Sequence, residues 1–521
     1  VARGDPQIVS FAAGEISPLA RGRVDVERYA ASCLSLVNFI VTPQGGIVHR
    51  WGTQYLAGSI GGVKSLLLPF VANSGKEFVL EIGDVSTRVW YGPARQLVFD
   101  NAGTWNITNT GLVASILTPW PAADLFDTDA TPRIKVVQVN DVMWLVHPSW
   151  PPFKITRVAE FKFQGQFIGD GINASMPFKD VNPTETVTMQ ASAATGLVTV
   201  TASAAVFLSS DRFGWLYLER PKVDATPPWE TAKAVVLNDV RSSVGRYYGA
   251  TNAATTGTVR PTHSLSTRID GTGGVNWEWL DDGYGYIAIE TVISPTQVSG
   301  TAVRRLPNTV VSGATTRWAK HAWSVTDGFP AAIALYRERL CFGRGQTVWT
   351  SVSGDFENFQ FQDGGVQTPD MAVTLTFGAQ RNDRIKWLAT MKSLLMVGTA
   401  SSEFAIGPQS MADPFGPSNV FADPVGGNGA NGLQPVPVSD SLMFAERGAR
   451  RLREARFSID VDGISSRDLN IYADHIFMRG TLCGLAHQRV PFGVLWATTN
   501  GGALKGFTFQ SEQNVWAWHT L

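Results

Sequence analysis

The sequence predicts an all-β chain: a β-propeller of about six blades, with an inserted all-β domain and a short N-terminal arm containing a helix. Three observations lead there. Apolar strand pairs joined by tight polar turns recur along the chain. Their equivalent positions, Phe78, Val136, Ile333, Trp387, Val436 and Val494, fall roughly 50–60 residues apart, as propeller blades of several strands do, except for one gap of about 200. Finally, 51 glycines and 17 tryptophans against only 17% charged residues favour short strands and turns over helical bundles.

The 521 residues divide into an arm (1–60), blades one and two (61–160), an inserted β-sandwich or barrel (161–325) and blades three to six (326–521). The arm opens with a flexible, charged stretch holding Gly14, Glu15, Pro18 and Gly22. A helix is expected from about Val24 to Val37, then a reversal at Pro43-Gln44-Gly45-Gly46 and a strand from Ile47 to Leu56. Proline fixes φ at the second position of such a turn, and glycine accepts positive φ after it. The first blade turns at Ala72–Gly75 and Gly83-Asp84, with Phe78, Leu80 and Ile82 alternating on one face. The second turns at Asn140-Asp141 between two apolar runs, a good hairpin signal. Each unit reads as a strand, a polar turn, a second strand, a short loop and a third strand. The insertion differs in texture: Thr, Ala, Ser and Val dominate Thr186–Phe207, and aromatic strands follow at Trp215–Leu218 and Trp277–Leu280.

Composition excludes several classes of function. A net charge of −1 argues against binding nucleic acid through bulk charge. Cys33, Cys341 and Cys483 are far apart and odd in number, so no disulfide framework or CxxC is expected, which fits synthesis in a reducing compartment. The first residues hold no apolar leader, and no apolar run reaches 18, so neither a signal peptide nor a membrane span is expected. The chain stops within what reads as a strand, Trp516–Leu521; either it is trimmed or that strand pairs elsewhere.

Chemistry-bearing patterns are sparse. The seven histidines show no HExxH or HxH spacing, and there is no GxSxG elbow. No catalytic residue, metal site or cofactor is expected. Asp124, Asp127 and Asp129 lack the sixth-position glycine and closing glutamate of a calcium loop and read as a solvated loop. Asp281 with Glu290 has the composition of a glycosidase acid pair, but nothing orders the two. The stretch from Val420 to Pro437 reads as a long flexible loop through Gly426, Gly427, Asn428, Gly429, Asn431 and Gly432; it lacks the lysine and helix of a phosphate loop. Arg447, Arg450, Arg451, Arg453 and Arg456 form the strongest charge feature. On a strand, Arg451 and Arg453 share a face, solvated, meeting another subunit, pairing with Glu446 or Glu454, or facing DNA.

A resemblance to a known family runs through these segments. GEISPL, GRVD, Tyr29, NFI, PQGG and R-GT-YL in the arm are similar to the amino terminus of the tail nozzle proteins of short-tailed bacteriophages, the tail tubular protein B family. VQVNDVMWLVHPSWPPFKITR, GFPAAIALYRERLCFGRG, VWTSVSGDFENF, FAERGARRLREARF, DLNIYADHIF, PFGVLWATTNGGALKGFTF and VWAWH continue it in order over roughly half of the chain. The insertion lies outside it. The resemblance implies a structural virion protein and not an enzyme, made in the host bacterial cytoplasm and carried in the tail. It implies a hexameric ring below the portal and its adaptor, meeting tail fibres, with genomic double-stranded DNA leaving through the lumen. Glu15, Pro18, Arg23, Asp25, Tyr29, Asn38, Phe39 and Arg50 would contact the adaptor or a neighbour, and the 426–432 loop would gate the lumen. Tight phosphate contacts would retard sliding DNA, which favours a subunit face for the arginine run.

A second class of function is a receptor- or polysaccharide-binding propeller with depolymerase activity. Trp215, Tyr217, Trp277, Trp279, Tyr284 and Tyr286 could stack on sugars, or could fill the core of the inserted domain.

Overall fold

A computed structural model describes residues 8–101, 104–106, 112–113, 115–168, 176–182, 185–221, 226–362, 366–378, 383–459 and 463–521. The chain is nearly all β and propeller-like. Six antiparallel meanders, each of four strands, supply the blades. The first is Leu66–Val71, Glu77–Ile82, Ser86–Tyr91 and Ser115–Leu117. The second is Lys135–Val139, Val142–His147, Trp150–Ala159 and Lys162–Phe167. After the insertion, the third, fourth, fifth and sixth sheets begin at Ala332, Ile385, Val436 and Leu482.

The fourth strand of each blade is absent from the sequence reading, and the physical reason is composition. Outer strands such as Lys162–Phe167 (KFQGQF) and Gly463–Asp468 (GISSRD) carry few apolar residues, since one edge of each faces away from the core. Phe78 and Val494 do not lie on first strands: they lie on the second strands of their sheets, whereas Val136, Ile333, Trp387 and Val436 lie on first strands.

Consecutive sheets share apolar cores. Phe70, Phe78, Leu80 and Ile82 of the first sheet pack with Leu145, Phe153 and Ile155 of the second. Trp144 and Val146 meet Ile333 and Phe342 of the third. Val348 meets Leu388 and Val397 of the fourth. Trp387 and Met396 meet Leu442 and Phe444 of the fifth. Met443 and Leu452 meet Leu495 and Phe507 of the sixth. Each fully buried side chain of this kind stabilises by ~1.5–3 kcal/mol. Among the described residues, no such cluster joins the sixth sheet to the first.

The arm takes that place on the sixth sheet. Gly14–Glu15 pairs in parallel beside the last strand, Val515–Thr520, and Ser32–Cys33 pairs beside Gly14–Glu15. The last strand therefore finds its partner within this chain. Gly14 has φ +63, and a Cβ there would stand 2.5 Å from the Trp518 backbone, so only glycine fits. A hairpin of Phe39–Val41 and Ile47–His49, turning at Pro43–Gly46, then lies over the sixth sheet. Val41 is buried with Leu36 against Val515 and Ala517, and its carbonyl accepts the Thr508 hydroxyl at 2.9 Å. The expected helix over 24–37 is not formed: only a 3-10 turn, Glu27–Ala31, appears before the chain extends to pair with strand one of the arm. The strand expected to run to Leu56 ends at His49.

The insertion has two parts. Six strands, Met189–Ala191, Leu197–Ala202, Gln297–Arg304, Tyr284–Ser294, Trp215–Glu219 and Trp318–Lys320, form one sheet. Paired backbone bonds of 2.8 Å between Met189 and Thr315 join its two edges, curling it around one core of Val198, Val200, Leu216, Ile287 and Val298. Close strand crossing needs glycine: a Cβ at Gly300 would stand 1.9 Å from the Ala288 carbonyl. A separate four-stranded sheet, running from Val240–Ser243 to Asn276–Asp281, forms a second lobe around Trp229, Tyr248 and Trp277.

Candidate functional site

The arm is where the sequence places contacts to other proteins. Glu15 is buried, not presented to a neighbour: its carboxylate accepts the Leu36 N–H at 2.8 Å and faces His475 Nε2 at 3.3 Å. Burial pushes its pKa up, but His475 and the Leu36 N–H outweigh that and hold it below the usual carboxylate value. Tyr29 closes a loop by accepting the Gly22 N–H at 3.2 Å. Asn38 donates its N–H to the Thr520 carbonyl at 2.9 Å. Phe39 packs on His49, ring centroids 4.4 Å apart, and Arg50 donates to the Trp51 carbonyl at 3.1 Å. Pro18, Arg23 and Asp25 are exposed, the last two paired with each other at 2.6 Å. Most of the eight residues thus tie the arm to its own chain.

Beyond the hairpin the chain crosses the outward face of the first sheet, every residue from Trp51 to Ser59 exposed. Three contacts hold it there. Arg95 donates to Gln54 at 3.1 Å, Arg88 donates to the Gly58 carbonyl at 2.8 Å, and Ile60 donates to Glu81 at 2.8 Å. Glu81 is a buried anchor that the sequence reading missed; it also accepts from Arg88 at 2.7 Å and Trp90 Nε1 at 2.8 Å. Burial raises its pKa, and those donors more than reverse the rise.

At the inner edges of the blades, side chains staple one blade to the next. Gln138 of the second sheet both donates to and accepts from the Val71 backbone of the first. Gln434 donates to the Leu388 carbonyl at 3.0 Å. Lys135 goes furthest: its ammonium donates to the Ala331 carbonyl at 2.8 Å and to the Lys386 carbonyl, joining blades two, three and four. Burial, with no paired carboxylate, drops its pKa to about 7, and Lys386 adds to the drop. The only sequence signal for this residue is its phase, shared with Val137 and Val139, which pack toward the third sheet.

The glycine-rich stretch is not a flexible loop. Phe421–Gly426 is the outer strand of the fourth sheet, and the rest is a pinned crossover to the fifth. Asn428 donates to Glu403 at 3.3 Å, Ala430 to the Thr399 carbonyl at 2.8 Å and Asn431 to the Ala445 carbonyl at 3.0 Å. The glycines serve close approach: a Cβ at Gly426 would stand 2.2 Å from the Glu403 carboxylate, and one at Gly429 2.5 Å from the Ala400 carbonyl. Gly427 has open space around it and Gly432 nearly so.

The arginine run splits. Arg453 pairs with Glu446 at 2.7 Å and Arg451 with Asp468 at 3.2 Å. Glu454 pairs with Arg467 instead. Arg447 and Arg450 stay exposed on the turn between two strands. Asp127 closes a turn onto the Asp129 and Thr131 N–H groups, and Asp124 holds Arg133 at 3.2 Å.

The aromatic residues of the insertion are used in packing. Trp215, Tyr217 and Tyr284 are buried; Tyr217 stacks with Tyr284 at 5.4 Å and Trp215 with Tyr286 at 5.1 Å. Tyr284 donates to the Gln362 carbonyl at 2.6 Å, and Gln362 donates to the Tyr217 hydroxyl at 3.0 Å, sealing the insertion to the third blade. Trp277 and Trp229 both donate to the buried Asp270 carboxylate, at 2.8 and 3.1 Å. Trp279 is half-buried and donates to Asp282. Asp281 is fully buried and paired with Arg220 at 2.9 Å, while the exposed Glu290 accepts the Thr301 hydroxyl at 2.5 Å. The two acids have different partners and different environments, so they do not form a pair.

A cleft of about 640 Å³ opens between the fifth and sixth sheets, lined by Lys392, Arg456, His487 and Arg489 with Asp440 and Glu512. A smaller one of about 340 Å³ lies between the insertion and the third blade.

Comparison with known proteins adds little to this geometry. No family model matches the chain, and no curated protein matches it. Among solved structures it is similar to virginiamycin B lyase from Staphylococcus aureus at 8% identity and a TM-score of 0.30, covering 85% of this chain and 97% of that one. It is also similar to a protein from Lactobacillus plantarum at 11% identity and a TM-score of 0.25, covering 59% of this chain and 81% of that one. At those scores neither likeness carries an argument. The class that the fold itself defines is an all-β, propeller-like protein.

Proposed function

We propose that this chain is a structural protein of a short phage tail, the nozzle ring through which genomic DNA leaves the virion. The observation that carries the reading is the ordered resemblance, which runs in segments from the arm to the sixth blade over roughly half of the chain. The geometry adds a constraint. Inner strands of three blades lie within reach of the one Lys135 side chain, so the axis of a single propeller leaves no duplex-wide channel there. A DNA path would have to run between copies, as a ring of copies provides. The stapled crossover at 426–432 makes that segment a rigid wall element, not a swinging gate. Arg447, Arg450 and Arg456 are the exposed arginines of the run left for a subunit or for passing phosphates. The glycan-binding alternative finds most of its aromatic residues inside the fold.

The test is negative-stain electron microscopy of the purified chain, alone and mixed with the portal–adaptor complex of its phage. The expected result is a six-fold ring capping the adaptor. A monomer that ignores the adaptor would overturn the reading.

A further inference from the structure

Six stacked sheets have twelve faces, and five shared cores bury ten of them. The outer face of the sixth sheet is covered by the hairpin of the arm. Among the described residues, the outer face of the first sheet is crossed only by the linker. Its innermost strand shows the consequence. Leu68 and Phe70 are buried against the second sheet, while Leu67 is 61% exposed and Val71 53% exposed on the opposite side. In the third sheet, by contrast, the innermost strand, Ala332–Tyr336, has no exposed residue, because both faces are covered. An antiparallel sheet with one solvated face normally alternates apolar with polar residues. Here the outward positions of the first strand are Leu67, Pro69 and Val71, the composition of an interior face. Leu117, on the outer strand of the same sheet, is 80% exposed, and the linker that crosses the sheet adds Tyr55 and Leu56, after Trp51 has stacked on Phe492 of the sixth sheet.

We infer that this outward face of the first sheet is the surface on which a second copy of the chain seats. The inference rests on the ring reading and names the face by which copies meet. Size selects the occupant. Tyr55, Leu56, Leu67, Val71 and Leu117, each about half exposed or more, present on the order of 600 Å² of mostly apolar surface, above the few hundred Å² usual for a monomer and approaching the ~800 Å² each partner gives a stable interface. Among the described residues the arm is not free to cover the face, because it is already committed to the sixth sheet through Gly14, Val41 and Asn38. The first sheet is also held rigid for the purpose: Glu81, under the linker, gathers Ile60, Ser65, Arg88 and Trp90. A one-sided contact of this kind, first sheet of one copy against a different flank of the next, is heterologous and can close into a ring.

The experiment is mass photometry and sedimentation velocity on the full chain, comparing the wild type with Leu67→Asp/Leu117→Asp. Met411→Asp, at an exposed apolar residue after the third strand of the fourth sheet, serves as a control. Both substituted leucines are exposed, so thermal unfolding of the monomer should not change. The expected result is self-association weakened at least tenfold in the double variant and unchanged in the control. A double variant that assembles as the wild type does would discard this face while leaving the ring reading standing. A wild type that stays monomeric both alone and on the portal–adaptor complex would discard both.

Discussion

The first and the sixth sheets end the same stack, yet they finish differently. The sixth is closed by its own chain: the arm adds two parallel strands to its edge and a hairpin to its face. The first is left with an apolar outward face and a linker exposed from Trp51 to Ser59. The contrast teaches that the arm is not an accessory grip. It completes a blade, and the incomplete end of the molecule is the other one. Glu15 and Val41 are buried against the last blade, so the arm belongs to that blade's fold.

The sharpest way to break the comparison is deletion of residues 1–49. It would bare the last strand and the outer face of the sixth sheet. The expected result is a chain whose sixth blade exchanges amide hydrogens freely and whose melting point falls by well over 10 °C; unchanged protection at Val515–Thr520 would show the arm to be dispensable. Next in size is a paired substitution within one strand. Phe70→Ala should cost about 3–5 kcal/mol, as loss of a buried ring does. Leu67→Ala, three residues earlier and facing out, should stay within about 0.5 kcal/mol in the isolated chain. Chemical denaturation of both reads the difference, and equal costs would mean that the outward face is covered within the monomer.

Lys135 gives a smaller effect with a defined pH signature. Its folded pKa, about 7, lies below the ordinary lysine value, so the unfolded chain binds the proton more tightly. Stability should therefore rise with pH between about 7 and 10.5, by an amount on the order of a few kcal/mol, and be flat with respect to this group below 7. In Lys135→Met that rise should vanish; a slope unchanged in the variant would assign it elsewhere. A more local change is Asp270→Asn. It weakens the bonds from Trp229 and Trp277 by about 1–2 kcal/mol, loosening the second lobe of the insertion alone. Intrinsic tryptophan fluorescence and local hydrogen exchange would detect it, and a spread of the change into the blades would contradict the separation of the two.

What could be read from the sequence follows the physics of burial. The hairpins at Asn140-Asp141 and at Pro43–Gly46 were legible because turn residues sit between apolar runs at the right spacing. The outer strands were not, because KFQGQF and GISSRD have little to bury. The helix expected over 24–37 failed because Ser32–Cys33 is recruited by Gly14–Glu15 and Val37 bridges to Thr520 at the opposite end of the chain, a pairing no local window contains. The glycines of 426–432 suggested freedom, but two of them, Gly426 and Gly429, let backbone approach Glu403 and Ala400. Of the candidate contacts, Arg447 and Arg450 kept their exposure, while Glu15 and Arg453 proved to be internal. Lys135, Glu81 and Asp270 went unnoticed, since a buried charge looks like any surface charge until its neighbours are known.

Hydrogen–deuterium exchange of the assembled and the dissociated chain compares the two ends most directly. Assembly should add protection at Leu66–Val71 and along 51–60, and leave Val515–Thr520 protected to the same degree in both states. Protection gained at the sixth sheet instead, with none at the first, would contradict the assignment of the closed end and the open one.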